Sequence, residues 1–270
     1  MAVTREEDTP RAAFTRLTWR INLVVVVALV ALSLFAWHNT IEQANSMSGM
    51  VMGLGQIGSR VQGSMSASLF LTMWVTMMAA MMLPTVAPMV LAHLAVARQR
   101  GDGALSTIAF IAGYLLVWSV IGVIPLFAYW GFAQLSDDAA QSHWLPALAG
   151  TILIVAGAYQ FTGWKQICLD KCQSPFAFVA MHDFGSGARS ALRAGVVHGA
   201  YCLGCCWALM AVLVVVGLMN LFWMATIFVL FFVEKHWKHG IVLAKIAGGA
   251  LMALGAAVIA RPAVLALISR

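Results

Sequence analysis

The stretch His198-Gly199-Ala200-Tyr201-Cys202-Leu203-Gly204-Cys205-Cys206-Trp207-Ala208-Leu209-Met210 lies inside residues 194–217, a run without Asp, Glu, Lys or Arg. A spanning helix needs about 20 mostly apolar residues, so this run reads as one membrane crossing. In a helix, residues three and four apart share a face. His198, Cys202, Cys206 and Met210 are each four apart, and Cys205 follows Cys202 by three. One face therefore carries imidazole, thiol and thioether groups, soft ligands that suit Cu(I), zinc or an iron–sulfur centre. Free cysteine is also a small buried hydrophobe, so packing is the competing reading. Three cysteines within five residues, a turn after a histidine, favour a ligand or redox role. One helix cannot fill a tetrahedral zinc site by itself, so further donors must come from elsewhere in the chain.

The rest of the chain has the same character. Of its 270 residues, 62% are hydrophobic and 10% charged, and the mean hydropathy is +0.89. A soluble domain carries about 25% charged residues. The expected fold is an all-α, polytopic transmembrane bundle. About seven spans are legible, at roughly 18–38, 67–96, 104–132, 144–164, 194–217, 220–236 and 239–261. The sixth is short, and six spans are the alternative. No internal repeat is evident. The expected organisation is one membrane domain, 18–261, between a cytoplasmic N-terminal tail, 1–17, and a short C-terminal tail, 262–270. No small-residue cleavage site follows the first apolar run, which is read as a retained helix rather than a signal peptide.

Orientation follows from the loop charges. Arg5, Arg11, Arg16 and Arg20, then Arg98 and Arg100, then Lys165, Lys171, Arg189 and Arg193, then Lys235 and Lys238 place twelve basic residues on one side. Arg60, Arg261 and Arg270 are the three on the other. Basic loops stay cytoplasmic, so the N-terminus is expected inside and, with seven spans, the C-terminus outside. The net charge of +6 is spread over these short loops, which argues against nucleic acid as a partner. Five cysteines cannot all pair internally, and on the cytosolic side a stable disulfide is disfavoured.

Further motifs lie outside the cysteine stretch. Met77, Met78, Met81 and Met82 form a thioether stripe on the second span. Methionine fills irregular core gaps, yet thioethers also bind Cu(I), and both readings stand. Met81 and Met82 approach the cytoplasmic half, and Cys202 lies about 12 Å in along the fifth span, so the two stripes are compatible in depth. Pro84 and Pro88 remove backbone donors, and a kink or break is expected there. The loop 39–66 is polar and rich in Gly, Ser and Met; it either lies on the membrane surface or faces the second helix. Cys168 and Cys172 have helical spacing at the cytoplasmic end of the fourth span, near Asp170 and His182, and read either as a metal-docking pair or as interface cysteines. Glu234 closes an apolar run; a boundary carboxylate is a functional candidate unless Lys235 or Lys238 simply pairs with it. His93 reads as an interior or boundary histidine. Trp37, Trp130, Trp144 and Trp237 sit where an aromatic belt belongs. There is no Gly-x-x-x-x-Gly-Lys-Ser/Thr loop, Gly-x-Ser-x-Gly elbow or His-Glu-x-x-His. The five intact spans carry almost no buried charge, which argues against a proton relay.

Taken together, Trp74-x-x-Met77-Met78-Ala79-Ala80-Met81-Met82-Leu83-Pro84, Gly113-Tyr114 with Trp118, Tyr159-Gln160 through Lys165 to Cys168-x-x-x-Cys172, Cys202-x-x-Cys205-Cys206-Trp207-x-Leu209-Met210, Gly217-x-Met219-Asn220 and Glu234-Lys235 resemble a bacterial family of predicted metal-binding integral membrane proteins, some labelled copper chaperones. The resemblance covers about residues 70–240. Gly163-Trp164 departs from it, standing where Pro-Leu precedes the lysine. The resemblance implies metal handling and supplies no reaction.

The expectation is thus a bacterial inner-membrane, multi-pass protein that binds a soft metal and delivers or transports it. Cu(I) is the leading ion, and zinc or no metal the alternatives. Cys202, Cys205 and Cys206 are expected as thiolate ligands, with His198 and Met210 on their stripe. Met77, Met78, Met81 and Met82 would be weaker thioether steps, and Cys168 and Cys172 a cytoplasmic docking pair. The expected partners are the lipid bilayer and a soluble metal donor or acceptor protein. No catalytic residue is identified, and a non-enzymatic role is favoured. The rival readings are a membrane thiol–disulfide oxidoreductase coupled to quinone and a structural subunit of a membrane complex.

Overall fold

A computed structural model describes residues 10–46, 53–57, 65–134, 144–181 and 185–269. Met47, Met50, Met52, Arg60, Asp137, Asp138, His182 and Asp183 fall outside these residues. The described chain is helical throughout, with no strand among the described residues. In order the helices are α1 (Pro10–Ser46), α2 (Ala67–Gln99), α3 (Ala104–Ile121), α4 (Val123–Ala133), α5 (Trp144–Tyr159), α6 (Gly163–Gln173), α7 (Pro175–Met181), α8 (Ala188–Val216), α9 (Leu221–His236), α10 (Gly240–Ala260) and α11 (Ala263–Ile268). A short 3-10 turn, Leu54–Gln56, precedes α2.

The expected all-α bundle is therefore what the chain forms. Five segments are long and apolar enough to cross a membrane: Trp19–Ser46, Ala67–Gln99, Ala104–Gly131, Ala188–Val216 and Gly240–Ala260. The segment expected at 144–164 is instead a pair, α5 and α6, bent by 62°. The short sixth segment is the 16-residue α9. At 1.5 Å per residue it rises about 24 Å, short of a hydrocarbon core of about 30 Å.

The bundle is centred on α2 and α8, the two most buried of these spans. Close approach of helices comes from glycine. A Cβ on Gly113 of α3 would collide with the Leu192 carbonyl of α8, and one on Gly195 with the Phe110 carbonyl of α3. Helices α5 and α10 meet in the same way. A Cβ on Gly157 would lie 2.5 Å from the Gly248 oxygen, and one on Gly255 would lie 2.5 Å from the Gly150 oxygen. In membranes, small residues let backbones approach and dispersion hold them.

Pro84 and Pro88 do not break α2, which runs unbroken across both. Pro84 has no N–H to offer the Ala80 carbonyl. Ser33 of α1 supplies the missing donor, its hydroxyl 2.9 Å from Ala80 O. A neighbouring hydroxyl thus satisfies the freed backbone group, as apolar surroundings require. The Trp74 indole likewise crosses to α3 and donates to the Trp118 carbonyl at 2.8 Å.

Part of the loop expected at 39–66 is ordered into the bundle. Residues 39–46 continue α1, and Gly53 packs so tightly on the end of α8 that a Cβ there would lie 2.7 Å from Gly217 N. Met65 is buried, with its N–H donating to the Tyr129 hydroxyl at 2.9 Å. Of the aromatic-belt residues, Trp130, Trp144 and Trp237 are exposed, while Trp37 packs edge-on against Phe228.

Candidate metal centre

The bend between α5 and α6 folds α6 against α8 and α9. The turn forms where Gln160, Phe161 and Thr162 reach back to the last carbonyls of α5. Thr162 then caps α6, accepting from Lys165 N–H at 3.3 Å. As a result Cys172, from α6, lies beside Cys202 and Cys205 of α8. The three Sγ atoms lie within 4.8 Å of one another, with Cys172 and Cys205 separated by 3.8 Å. A metal with bonds of about 2.3 Å to each of three sulfurs holds them about 4 Å apart. The observed triangle therefore accommodates a single soft ion after a small contraction. All five cysteines are free thiols.

Each sulfur is held by its surroundings. The Cys205 thiol donates to the Cys202 carbonyl at 3.1 Å, one turn earlier. Cys206 Sγ is 3.4 Å from Cys205 Sγ. Cys202 Sγ meets the Tyr114 hydroxyl of α3 at 3.1 Å and accepts from Lys235 Nζ of α9 at 3.1 Å. Lys235 is 7% exposed, donates also to Thr85 Oγ1 of α2 at 3.3 Å, and lies 5.9 Å from the centre of the Phe231 ring. A second ammonium, that of Lys165, is also buried nearby. Lys165 Nζ donates to Glu234 Oε2 at 2.8 Å and to the Cys205 carbonyl at 2.6 Å. Both side chains of this ion pair are essentially inaccessible. Gln173 Nε2 donates to the Glu234 carbonyl at 2.6 Å and ties the end of α6 to α9.

A cavity of about 160 Å³ borders the thiols. Cys172 and Cys202 line it, with Thr85, Met89, His198 and Lys235 among the other walls.

The expected site residues divide as follows. Cys202 and Cys205 come together, and Cys206 adjoins Cys205. His198 shares the cavity with Cys202. Cys172 joins this cluster rather than forming a separate docking pair, whereas Cys168 is half-buried against Gly204, where an added Cβ would lie 2.6 Å from its sulfur. Met77, Met78, Met81 and Met82 are all completely buried in the same core, but α2 presents Thr85, Val86, Pro88 and Met89 to the thiol cavity. None of the four stripe residues lines that cavity; Met82 sulfur lies 3.9 Å from Thr85 Oγ1, which does. Met210 faces a different, apolar groove with Trp74, Trp118 and Trp207. Glu234 pairs with Lys165 rather than with the adjacent Lys235, because adjacent helical residues point about 100° apart; Lys238 lies beyond the end of α9. The five membrane-length helices carry no buried charge among the described residues; Lys165, Glu234 and Lys235, all buried, lie on α6 and α9 instead.

Lys165, Lys235 and Tyr114 are the residues that sequence reasoning assigned no role at the thiols. Both lysines read as loop charges because each borders an apolar run, and a long side chain there ordinarily snorkels to water. The available signal was the pairing of Glu234 with a basic residue at the end of an apolar run, which marks a charge needing a buried partner.

This geometry is a thiol pocket drawn from α6 and α8 and bordered by α2, α3 and α9. The sequence model of a family described as copper chaperone, PpoB2, matches residues 71–258. The chain belongs to this copper chaperone family. The matched region contains every residue of the thiol cluster. No curated protein and no solved structure matches the chain.

Proposed function

We propose that this member of the copper chaperone family is an integral membrane protein that binds Cu(I) through Cys172, Cys202 and Cys205 and hands it on. The observation that carries the reading is the convergence of three thiols from α6 and α8 within 4.8 Å, Cys202 and Cys205 buried and Cys172 half-buried. Thiolates favour Cu(I) among common ions, whereas a structural zinc site takes four ligands. Cys206, beside Cys205, is the reserve thiol. The buried ammonium of Lys235 offsets negative charge that thiolates bring into an apolar interior.

The basic loops favour a cytoplasmic N-terminus in a bacterial inner membrane. Removing the buried Lys165 and Lys235 from the twelve cytoplasmic charges leaves ten against three. On this orientation α6 and the thiols lie toward the cytoplasm. The exchange partner is then a soluble copper donor or acceptor on that side.

The test is to purify the protein with copper under reducing conditions and count metal by mass spectrometry. Wild type is expected to retain copper, and a Cys172/Cys202/Cys205 triple-serine variant to lose it. Equal copper in both would refute the assignment. Because thiols bind after losing a proton, affinity is expected to fall as the solution is acidified. A competition titration with a Cu(I) chelator at two pH values measures that fall.

A further inference from the structure

We propose that Met89 and His198 form, with Cys202, a second metal position in the cavity beside the thiol triangle, one that takes a soft monovalent cation. The inference rests on the copper reading above and extends it to residues outside the three-thiol set. His198 is 3% exposed, and its Nδ1 has no hydrogen-bond partner. Its ring is fixed on three sides, stacked on Phe110 and Tyr114 and edge-on to Phe178. A buried ring nitrogen left without a partner is costly, and native structures seldom leave one unexplained. His198 lines the cavity, and Cys202 lies one turn further along the same face of α8.

Water alone is a weaker account of this wall. A cavity of about 160 Å³ has room for it. Met89 lines the same cavity, on α2, and is 2% exposed. A thioether is a poor hydrogen-bond partner for water but a good ligand for Cu(I). An unpartnered imidazole, a thioether and a thiol around one void form a mixed soft donor set. Met89 and His198 are neutral donors, so this position holds an ion less tightly than the thiol triangle and exchanges it more readily.

The experiment uses full-length protein in detergent, labelled with selenomethionine and titrated anaerobically with Cu(I) against a competing chelator. X-ray absorption at the copper edge is recorded after each equivalent. The first equivalent is expected to show sulfur neighbours only. The second is expected to show a selenium neighbour. Met89→Leu should abolish that selenium signal and the second equivalent while keeping the first, and His198→Phe should abolish the second equivalent. Retention of the first equivalent shows that each variant is folded. A single equivalent in wild type, or a selenium signal that survives Met89→Leu, overturns the second position and leaves the thiol reading intact. A wild type that retains no copper overturns both.

Discussion

At the scale of single residues, the centre depends on where consecutive side chains point. Glu234 and Lys235 are neighbours on α9, yet one faces Lys165 and the other faces Cys202. The Lys165–Glu234 pair is inaccessible to solvent, so removing one partner leaves an uncompensated buried charge. Such a change costs about 3–5 kcal/mol, while replacing both partners by apolar residues of similar volume is often neutral. Glu234→Met is therefore expected to destabilise the protein by about that amount, and Lys165→Met/Glu234→Met to recover most of the loss. Denaturant unfolding followed by circular dichroism measures both. Equal destabilisation by the single and double variants would show that the pair is not the stabilising unit. Lys165 also donates to the Cys205 carbonyl, so the double variant, which removes that donor, should loosen the thiol-bearing turn.

At the scale of elements, glycine and serine do what an apolar solvent cannot. Helices α5 and α10 meet at Gly150, Gly157, Gly248 and Gly255, where any Cβ would press on the opposite backbone. Backbone cannot rotate away as a side chain can, so Gly248→Leu is expected to cost about 1–3 kcal/mol through overpacking. A lowered midpoint in thermal unfolding checks it, and an unchanged midpoint would mean that the seam is loose. Ser33→Ala leaves the Ala80 carbonyl without the donor that Pro84 cannot supply. Its expected cost is smaller, about 1 kcal/mol, in line with interhelical hydrogen bonds in membranes. The bend of 62° between α5 and α6 is the other decisive feature. A straight continuation of α5 would carry Cys172 away from α8, and the thiol cluster would lose its third member.

At the scale of the whole molecule, orientation decides which compartment meets the thiols. With ten basic positions against three once the buried Lys165 and Lys235 are set aside, a reporter that fluoresces only in the cytoplasm is expected to light up when inserted between α2 and α3. With seven crossings, the same reporter fused after Arg270 is expected to stay dark. Fluorescence at the C-terminal fusion would instead mean an even number of crossings. The candidate for the missing one would be α9, which is only 16 residues long. The copper chaperone family match spans residues 71–258, so α1 lies outside it. Even so, α1 covers α2 and supplies Ser33 to its proline-freed carbonyl.

The sequence by itself determined the helical class, the placement of five membrane-length helices and the α8 half of the thiol cluster. The reason is that hydropathy over about 20 residues and spacing along one helix are local properties. His198, Cys202, Cys205 and Cys206 were legible because a single helix carries them. The contributions of Cys172, Lys235, Tyr114 and Met89 were not, because each depends on which helices become neighbours. That depends on glycine seams and on the turn at 160–162, none of which leaves a periodic trace. The Met77–Met82 stripe shows the same limit from the other side. Its periodicity correctly marked a buried face, but the rotation of α2 against α8 and α9 decided that Thr85 and Met89, not the stripe, border the thiol cavity. Only tertiary packing sets that rotation, because the apolar surface of such a helix leaves several faces nearly equal in burial.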